Sequence, residues 1–322
     1  MVAQHNPVFS PNERWLTISL IAITAFATFV LYFAYTAHPS ENAPLFRTIP
    51  ALEQFVLVMA VYPIKLLYML LALGATILLW KETTRPLTAL RWSMAFFLFG
   101  EVVCWFNILF FFEENLLLEY LHSWGMIACL GFLVYAVLEA LDSHVFHFSA
   151  PDAKCALAGV CHKCAKFTEA PCALERFFKW SLPIGILLAW MPLSAPVVSM
   201  SYNTQVFGFA RNLSHDAVVQ YYELRYAPWA SVLLIGAAWF LTLWRGRRGE
   251  VLRVAKILLA AGAGHLLFAF LRLAFFAFYR DHLVWFVFWE EFTELILVGS
   301  VWVSLWTFQP GFFARWVKIL PG

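Results

Sequence analysis

The sequence predicts an all-α integral membrane protein with about eight transmembrane helices. Of its 322 residues, 62% are hydrophobic and only 13% are charged, whereas soluble domains have about a quarter charged residues and about half apolar ones. Eight apolar stretches have roughly the 20 residues that a helix needs to cross the hydrocarbon layer of a bilayer. This composition excludes a soluble enzyme, and a net charge of +2 offers no basic surface for nucleic acid.

The chain is expected to consist of two membrane halves joined by a loop. The predicted spans are 15–37, 55–80, 92–112, 117–141, 178–199, 228–244, 251–279 and 283–306. The pair Gly100-Glu101 is echoed by Gly264-His265, which suggests two related four-helix units. We therefore predict an N-terminal four-helix half, a Cys-rich loop, a C-terminal four-helix half and an interfacial amphipathic tail, at 1–141, 142–179, 180–306 and 307–322.

Lys and Arg are divided unevenly between the two sides of the membrane. With eight spans, sixteen of them fall on the side of both termini and the Cys-rich loop, and four fall on the other side. Because cytoplasmic segments carry the excess of Lys and Arg, we expect both termini to be cytoplasmic and the protein to lie in the cell (inner) membrane, in contact with lipid. The outer segment 200–227 is long and aromatic, and we expect an interfacial helix or a docking surface there.

Four cysteines within 18 residues mark the first candidate site, as Cys155, Cys161, Cys164 and Cys172. Thiolates bind zinc and iron–sulfur clusters, and stable disulfides are uncommon on the cytoplasmic side. Structural zinc sites usually use two Cys-x2–4-Cys pairs, but this segment has only one, whereas cluster ligands are often unevenly spaced. We predict an iron–sulfur cluster held by these four residues, with zinc as the alternative and a redox-switching thiol loop as a third interpretation.

Five ionisable residues in the last two spans mark the second candidate site: His265, Arg272, Glu290, Glu291 and Glu294. A charged side chain at the bilayer centre costs about 2.5–3.5 kcal/mol on insertion scales, and such residues usually face the bundle interior. If the two spans form an antiparallel pair, Arg272 lies at the depth of Glu290 or Glu291, and His265 lies near Glu294. We expect a connected column that serves as a proton path or a polar quinone-head pocket. The alternatives are a structural ion-pair network and a metal or haem ligand set.

Glu101, Glu119 and His122 are candidate cofactor-binding residues in the front half. Glu119 and His122 form the Glu-x-x-His pattern that di-iron bundles combine with single glutamates from neighbouring helices. The predicted turn between these spans, however, places Glu101 about 12 Å in depth from His122 at 1.5 Å per residue. That distance argues against one shared site and makes Asn107 the better partner of His122. Lys65 is a further charged residue inside a predicted span.

The combined pattern favours a membrane redox protein. A cytoplasmic iron–sulfur site would exchange electrons with a partner, and the buried polar column would handle quinone and its protons. The chain has no nucleotide-binding loop, which is typical of a subunit that works with other subunits of a membrane redox complex. The alternatives are a solute or metal-ion transporter or sensor with a zinc-stabilised loop, and a scaffold subunit.

Overall fold

Seven helices and one β-hairpin make up the part of the chain that the computed structural model describes, which is residues 46–111, 115–146, 172–245 and 249–309. The predicted span 15–37, the cysteines Cys155, Cys161 and Cys164, and the tail from residue 310 lie outside the described residues. Cys172 is the first residue of a helix, but its side chain is not described. The predicted iron–sulfur site therefore stays a prediction.

Two of the helices contain a π-helical segment, and a third ends in one. Helix α1 comprises Ala51–Met59, a π segment at Ala60–Ile64, and Lys65–Leu78. The other helices are α2 (Arg85–Phe111), α3 (Leu116–Leu141, continued by a π segment at Asp142–Phe146), α4 (Cys172–Ser194), α5 (Ala217–Tyr221, a π segment at Tyr222–Tyr226, and Ala227–Arg245), α6 (Gly249–Tyr279) and α7 (Leu283–Phe308).

Five of these helices, α1, α2, α3, α5 and α6, are long and apolar enough to cross a membrane. Their outward faces carry large apolar side chains such as Leu70 and Leu233, which are 57% and 70% exposed. Exposure of such an apolar surface to water would be unfavourable, whereas the acyl chains of lipids are equally apolar and can cover it. Helix α7 has 26 residues but contains three glutamates, and the described apolar part of α4 is shorter, at Trp180–Ser194. The helices therefore indicate a membrane protein.

The helices pack in the spatial order α4, α5, α6, α3, α2, α1, α7, and α7 also contacts α6. Glycines allow the closest approaches. A Cβ placed on Gly125 of α3 would lie 2.8 Å from the Cα of Gly100 in α2, and a Cβ on Gly264 of α6 would lie 2.5 Å from the backbone nitrogen of Gly131 in α3. The first contact lies at the level where the polar side chains described below converge, and the second lies about 12 Å farther along α6.

Because Gly264 lies so close to α3, even its replacement by alanine should destabilise the protein. Gly264→Ala would push a methyl group into the α3 backbone, and we expect it to lower the free energy of unfolding by about 1–3 kcal/mol, as overpacked cores do. Gly299→Ala is the matched control, because nothing lies within 4 Å of the Cβ that it adds. Thermal denaturation in detergent compares the two variants. Equal melting temperatures would contradict the close packing of α3 against α6.

A β-hairpin occupies most of segment 200–227, for which the sequence predicted an interfacial helix or a docking surface. The prediction of an interfacial helix was therefore wrong. Strand β1 (Met200–Val206) pairs with β2 (Phe209–His215) through a two-residue turn in which Phe207 and Gly208 both have positive φ. Positive φ at both turn positions suits the twist of a hairpin, and glycine accepts it without strain. Helix α5 then begins at Ala217, well before the predicted start at residue 228.

The hairpin lies against the ends of the last two helices. Alternate residues of β1 are buried, and the ring of His215 at the end of β2 packs 4.7 Å from Phe276 and 5.4 Å from Phe286. Near Phe46, the backbone N–H of Arg47 donates to the carbonyl of Asn203, 2.8 Å away. The hairpin thus covers one end of the bundle, directly over the polar residues inside it.

Candidate functional site

Ten polar side chains from six helices and the hairpin form a buried network, here named the charged cluster: Lys65, Tyr68, Glu101, His122, His215, Glu223, Arg272, Glu290, Glu291 and Glu294. On α2, α3, α5, α6 and α7 it lies about 9–17 Å from the hairpin-side ends of the helices, at a rise of 1.5 Å per residue. The cluster contains five glutamates but only one lysine and one arginine. Taking so many charges out of water is costly, and such groups inside membrane helices usually have a function.

Lys65 joins three helices at one end of the cluster. Its Nζ lies 2.6 Å from Glu101 Oε2 on α2, and it donates to Glu291 Oε1 on α7 at 2.8 Å and to the hydroxyl of Tyr68 at 2.9 Å. The Tyr68 hydroxyl also contacts Glu101 Oε2 at 2.5 Å and Glu291 Oε2. Since a hydroxyl has one proton, Tyr68 donates to one of these carboxylates at a time. The lysine side chain is only 2% exposed, so these contacts replace its hydration.

The local sequence explains how Lys65 reaches the interior. Pro63 lies inside the π segment of α1, and proline has no N–H with which to continue the α-helical hydrogen-bond ladder. A π segment adds one residue to a turn and is frequent at functional sites. The α-helix resumes at Lys65, where the side chains of Lys65 and Tyr68, three residues apart, point to the same side of the helix.

Arg272 holds the other end of the cluster. Its Nη1 donates to Glu290 Oε1 on α7, and its Nε lies 2.9 Å from Glu223 Oε1 on α5. The predicted pairing of Arg272 with one of the two adjacent glutamates is therefore confirmed, and the partner is Glu290. The other glutamate, Glu291, pairs with Lys65 instead. Successive residues of α7 point in different directions, so the two glutamates serve two different cations.

Glu101 and His122 lie side by side, so the predicted 12 Å separation was wrong. His122 Nδ1 is 3.5 Å from Glu101 Oε1 and 3.1 Å from the carbonyl of Gly100. Helix α2 ends at residue 111 and α3 begins at 116, so the midpoint of the turn precedes the predicted one. In an antiparallel helix pair, the numbers of two residues at the same depth add up to twice the midpoint of the turn. An error of one residue in the midpoint therefore shifts the residue expected opposite Glu101 by two positions. Asn107, the predicted partner of His122, instead donates to Glu119 at 2.7 Å.

Glu223 and His215 belong to the cluster but were not predicted. Glu223 Oε2 lies 3.0 Å from His215 Nε2, and the Glu223 side chain is fully buried while that of His215 is 13% exposed. Both residues fall in the segment that sequence reasoning treated as an outer loop. A signal was present, since Glu223 lies in the aromatic stretch Tyr221-Tyr-Glu-Leu-Arg-Tyr226, where a glutamate needs a polar partner. Their positions bring the network close to the hairpin-covered end of the bundle.

His265 is not joined to the predicted column. Its Nδ1 makes a hydrogen bond of 2.9 Å with the carbonyl of Ala261 in its own helix, and no contact between His265 and Glu294 is found in the described part of the chain. Glu294 instead extends toward α2 and α3. One donor atom each from Glu101, His122 and Glu294 lies within 4.8 Å of the other two, an arrangement that could hold a cation.

Two adjoining cavities reach the charged cluster. The smaller, about 100 Å³, is lined by Lys65, His122, Arg272 and the three glutamates of α7. The larger, about 630 Å³, is here named the chamber and lies between α1 and the hairpin. The two cavities share six lining residues, Leu57, Val61, Ile108, Leu213, Ser214 and Asp216. A mostly apolar space therefore adjoins a strongly charged one.

Comparison with protein-family models found no matching family, and comparisons with characterised proteins and with solved structures found no significant match. The functional argument therefore depends on the geometry of the charged cluster and of the chamber beside it.

Proposed function

We propose that this chain is the quinone-binding membrane subunit of a redox complex. One observation supports this most strongly: the apolar chamber shares a wall with the pocket of buried charges. A quinone has an apolar ring and tail and two carbonyl oxygens, so it needs both environments side by side. Its tail would occupy the chamber and its head would face the charged cluster.

The size and lining of the chamber suit a lipophilic molecule. Its volume of about 630 Å³ lies within the range of roughly 300–1,000 Å³ that small-molecule sites have. Leu57, Val58 and Val61 of α1 form one side, and the hairpin with Phe207 and Leu213 forms the other. The lining also includes the polar residues Ser201, Arg211, Asn212, Ser214 and Asp216. Mostly apolar walls with a small number of polar groups are the usual composition of such a site.

The charged cluster contains the donors that a quinone head requires. Lys65 and Arg272 line the small pocket, and each carries several N–H groups. Carbonyl oxygens accept hydrogen bonds from such groups, and hydrogen bonds to a charged donor are stronger than neutral ones. Negative charge that develops on the quinone oxygens during reduction would be stabilised by the same lysine and arginine.

Reduction of a quinone to a quinol takes up two electrons and two protons. The His215–Glu223 pair, on the hairpin side of the cluster, is the proposed route for protons, because His215 is partly exposed and Glu223 reaches Arg272. The electrons would come from a redox partner subunit of the complex. The two protons would bond to the two quinone oxygens, and the partner would be oxidised by two electrons.

The cysteine segment is proposed as a separate site, an iron–sulfur cluster with zinc as the alternative. Helix α4 begins at Cys172 and ends at Ser194, just before the hairpin, so its first residue lies at the other end of the bundle. At 1.5 Å per residue the helix is about 35 Å long. The cysteine segment and the quinone pocket would therefore exchange electrons with different partners.

The eight-span topology belongs to the same proposal. Helices α4 and α7, together with residues 15–37, would join the five apolar helices in crossing the inner membrane, with both termini in the cytoplasm. The hairpin, which forms one wall of the chamber, would then lie on the outer side. The uneven distribution of Lys and Arg supports this orientation.

The proposal is tested by quinone binding to the full chain purified in detergent, with a radiolabelled short-tailed ubiquinone. Val61→Trp would fill the wall between chamber and pocket, and we expect it to weaken binding at least about tenfold, a loss of about 1.4 kcal/mol. Val303→Trp makes the same exchange on a side chain that is 65% exposed on α7 and should bind as the wild type does. Equal binding by the two variants, or no saturable binding by the wild type, would overturn the proposal.

A further inference from the structure

Three carboxylate oxygens in the charged cluster are buried without a hydrogen bond: Glu223 Oε1, which lies 2.9 Å from Arg272 Nε, and one oxygen each of Glu101 and Glu294. Glu101 Oε1 and Glu294 Oε2 are both shielded from solvent, and the two residues are 0% and 7% exposed. A buried polar atom without a hydrogen bond loses its hydration without full compensation; for Glu101 Oε1 the ring nitrogen His122 Nδ1 is 3.5 Å away. Glu101 and Glu294 both belong to the group in which one donor atom from each of Glu101, His122 and Glu294 lies within 4.8 Å of the others. Their two oxygens without a hydrogen bond therefore coincide with a convergence of metal-ligating side chains.

The hydrogen bonds of His122 place its ring proton on Nδ1 and leave Nε2 as an acceptor, whose contact with Arg272 a bound metal ion would replace. Its Nδ1 is 3.1 Å from the carbonyl of Gly100, and because a carbonyl can only accept, Nδ1 carries the proton. On the other side of the ring, Arg272 Nη2 lies 3.5 Å from Nε2, and a guanidinium can only donate. A histidine that donates one N–H to a backbone carbonyl and leaves the other nitrogen unprotonated has the arrangement that metal-binding histidines commonly show.

The formal charges of the cluster are compatible with either a further cation or bound protons. With its five glutamates ionised and the histidines neutral, Lys65 and Arg272 leave an excess of three negative charges in a space shielded from water. Glu223 and Glu290 contact Arg272, and Glu291 contacts Lys65. Glu294 makes no ion pair among the residues that the structure describes. A divalent cation near Glu294 would reduce the excess from three charges to one.

We propose that Glu101, His122 and Glu294 bind one divalent first-row transition-metal ion. Two carboxylates and one imidazole form a mixed oxygen and nitrogen donor set, which suits ions such as Mn²⁺, Fe²⁺ and Zn²⁺. Ligand atoms lie about 2.0–2.2 Å from such an ion, so the three donors would move together by about an ångström. The metal would hold α2, α3 and α7 together and sit beside the proposed quinone pocket.

This inference goes beyond the proposed function and does not depend on it. Protons could reduce the same excess of charge, so the experiment must distinguish metal binding from protonation. Mn²⁺ is a suitable probe because it prefers oxygen and nitrogen donors to thiolates, which keeps it off the cysteine segment. Its electron-spin signal in solution is lost on binding and reports the free concentration directly.

The full chain in detergent, stripped of metals with a chelator, is titrated with Mn²⁺. The wild type should bind one tightly held ion per chain, and Glu294→Gln and His122→Gln should each weaken binding by at least roughly 10- to 100-fold, the loss seen when even a supporting residue is removed. Glu250→Gln is the matched control, since the Glu250 side chain is 82% exposed, and it should bind as the wild type does.

Two results would overturn the inference: no stoichiometric Mn²⁺ binding by the wild type, or equal affinity in Glu294→Gln and Glu250→Gln. Glu294 makes no ion pair in the described part of the chain, so Glu294→Gln should fold, and its melting temperature without metal checks this. Quinone binding depends on the chamber and is tested with Val61→Trp. The two proposals are therefore tested independently: a negative result for Mn²⁺ binding does not contradict the quinone site, and a negative result for quinone binding does not contradict the metal site.

Discussion

Replacing Lys65 with methionine should destabilise the protein more than any other exchange of a single lysine in the described helices. The substitution removes the only cation in contact with Glu101 and Glu291 among the described residues, and it leaves two carboxylates facing each other in a buried site. Removing one partner of a buried ion pair typically costs about 3–5 kcal/mol, because the remaining charge has no compensation. Thermal and chemical denaturation of the purified chain in detergent would measure the loss.

Two further variants show whether the effect depends on charge. Lys81→Met makes the same exchange on an exposed residue and should change the free energy of unfolding by less than about 0.5 kcal/mol. In the double variant Lys65→Met/Glu291→Gln, one uncompensated carboxylate is replaced by a neutral amide, so part of the lost stability should return. If Lys65→Met and Lys81→Met have the same free energy of unfolding, Lys65 is not part of a buried ionic network.

Arg272→Met should produce the second largest loss, again of about 3–5 kcal/mol. Arg272 is 6% exposed and connects Glu223 of α5 with Glu290 of α7, so its loss leaves the fully buried Glu223 and the partly buried Glu290 without this cation. It also removes the guanidinium that lies 3.5 Å from His122. Denaturation in detergent is the measurement, with far-ultraviolet circular dichroism to confirm that the helices form.

The same helix provides the control for this prediction. Arg253 of α6 forms an ion pair with Glu250 at 3.5 Å, but the two side chains are 51% and 82% exposed. Exposed pairs contribute about 0.2–1 kcal/mol, so Arg253→Met should lower the stability only slightly. Comparable losses for Arg272→Met and Arg253→Met would mean that the cluster around Arg272 is hydrated and does not form the buried site described above.

Sequence reasoning found the helices and one of the key contacts because both depend on local or adjacent segments. Long apolar stretches predicted α1, α2, α3 and α6 close to their observed positions. The pairing of Arg272 with Glu290 or Glu291 followed from depth alone, since α6 and α7 are joined by a short turn whose midpoint could be placed well. An error of one or two residues in that midpoint still leaves the long side chains of Arg272 and the glutamate within hydrogen-bonding reach of each other.

The rest of the site depends on features that a sequence shows poorly. The turn between α2 and α3 was misplaced, and this error separated Glu101 from His122 although they are in contact. The partners of Lys65 lie on helices that are distant in the chain, and α1 presents Lys65 through a π segment around Pro63. The hairpin had a local signal, the alternating pattern of β1 followed by Phe207-Gly208, but its aromatic content suggested an interfacial helix instead.

The most direct test of the central claim is photolabelling of the full chain with an azido derivative of ubiquinone, followed by mass spectrometry of the labelled peptides. If the chamber binds the quinone beside the charged cluster, the label should be found on the hairpin around Phe207–Leu213 and on α1 around Leu57–Tyr62. An excess of unlabelled quinone should abolish it. Labelling confined to the lipid-facing side chains of α4 or α5, or unaffected by competitor, would contradict a quinone site at this position.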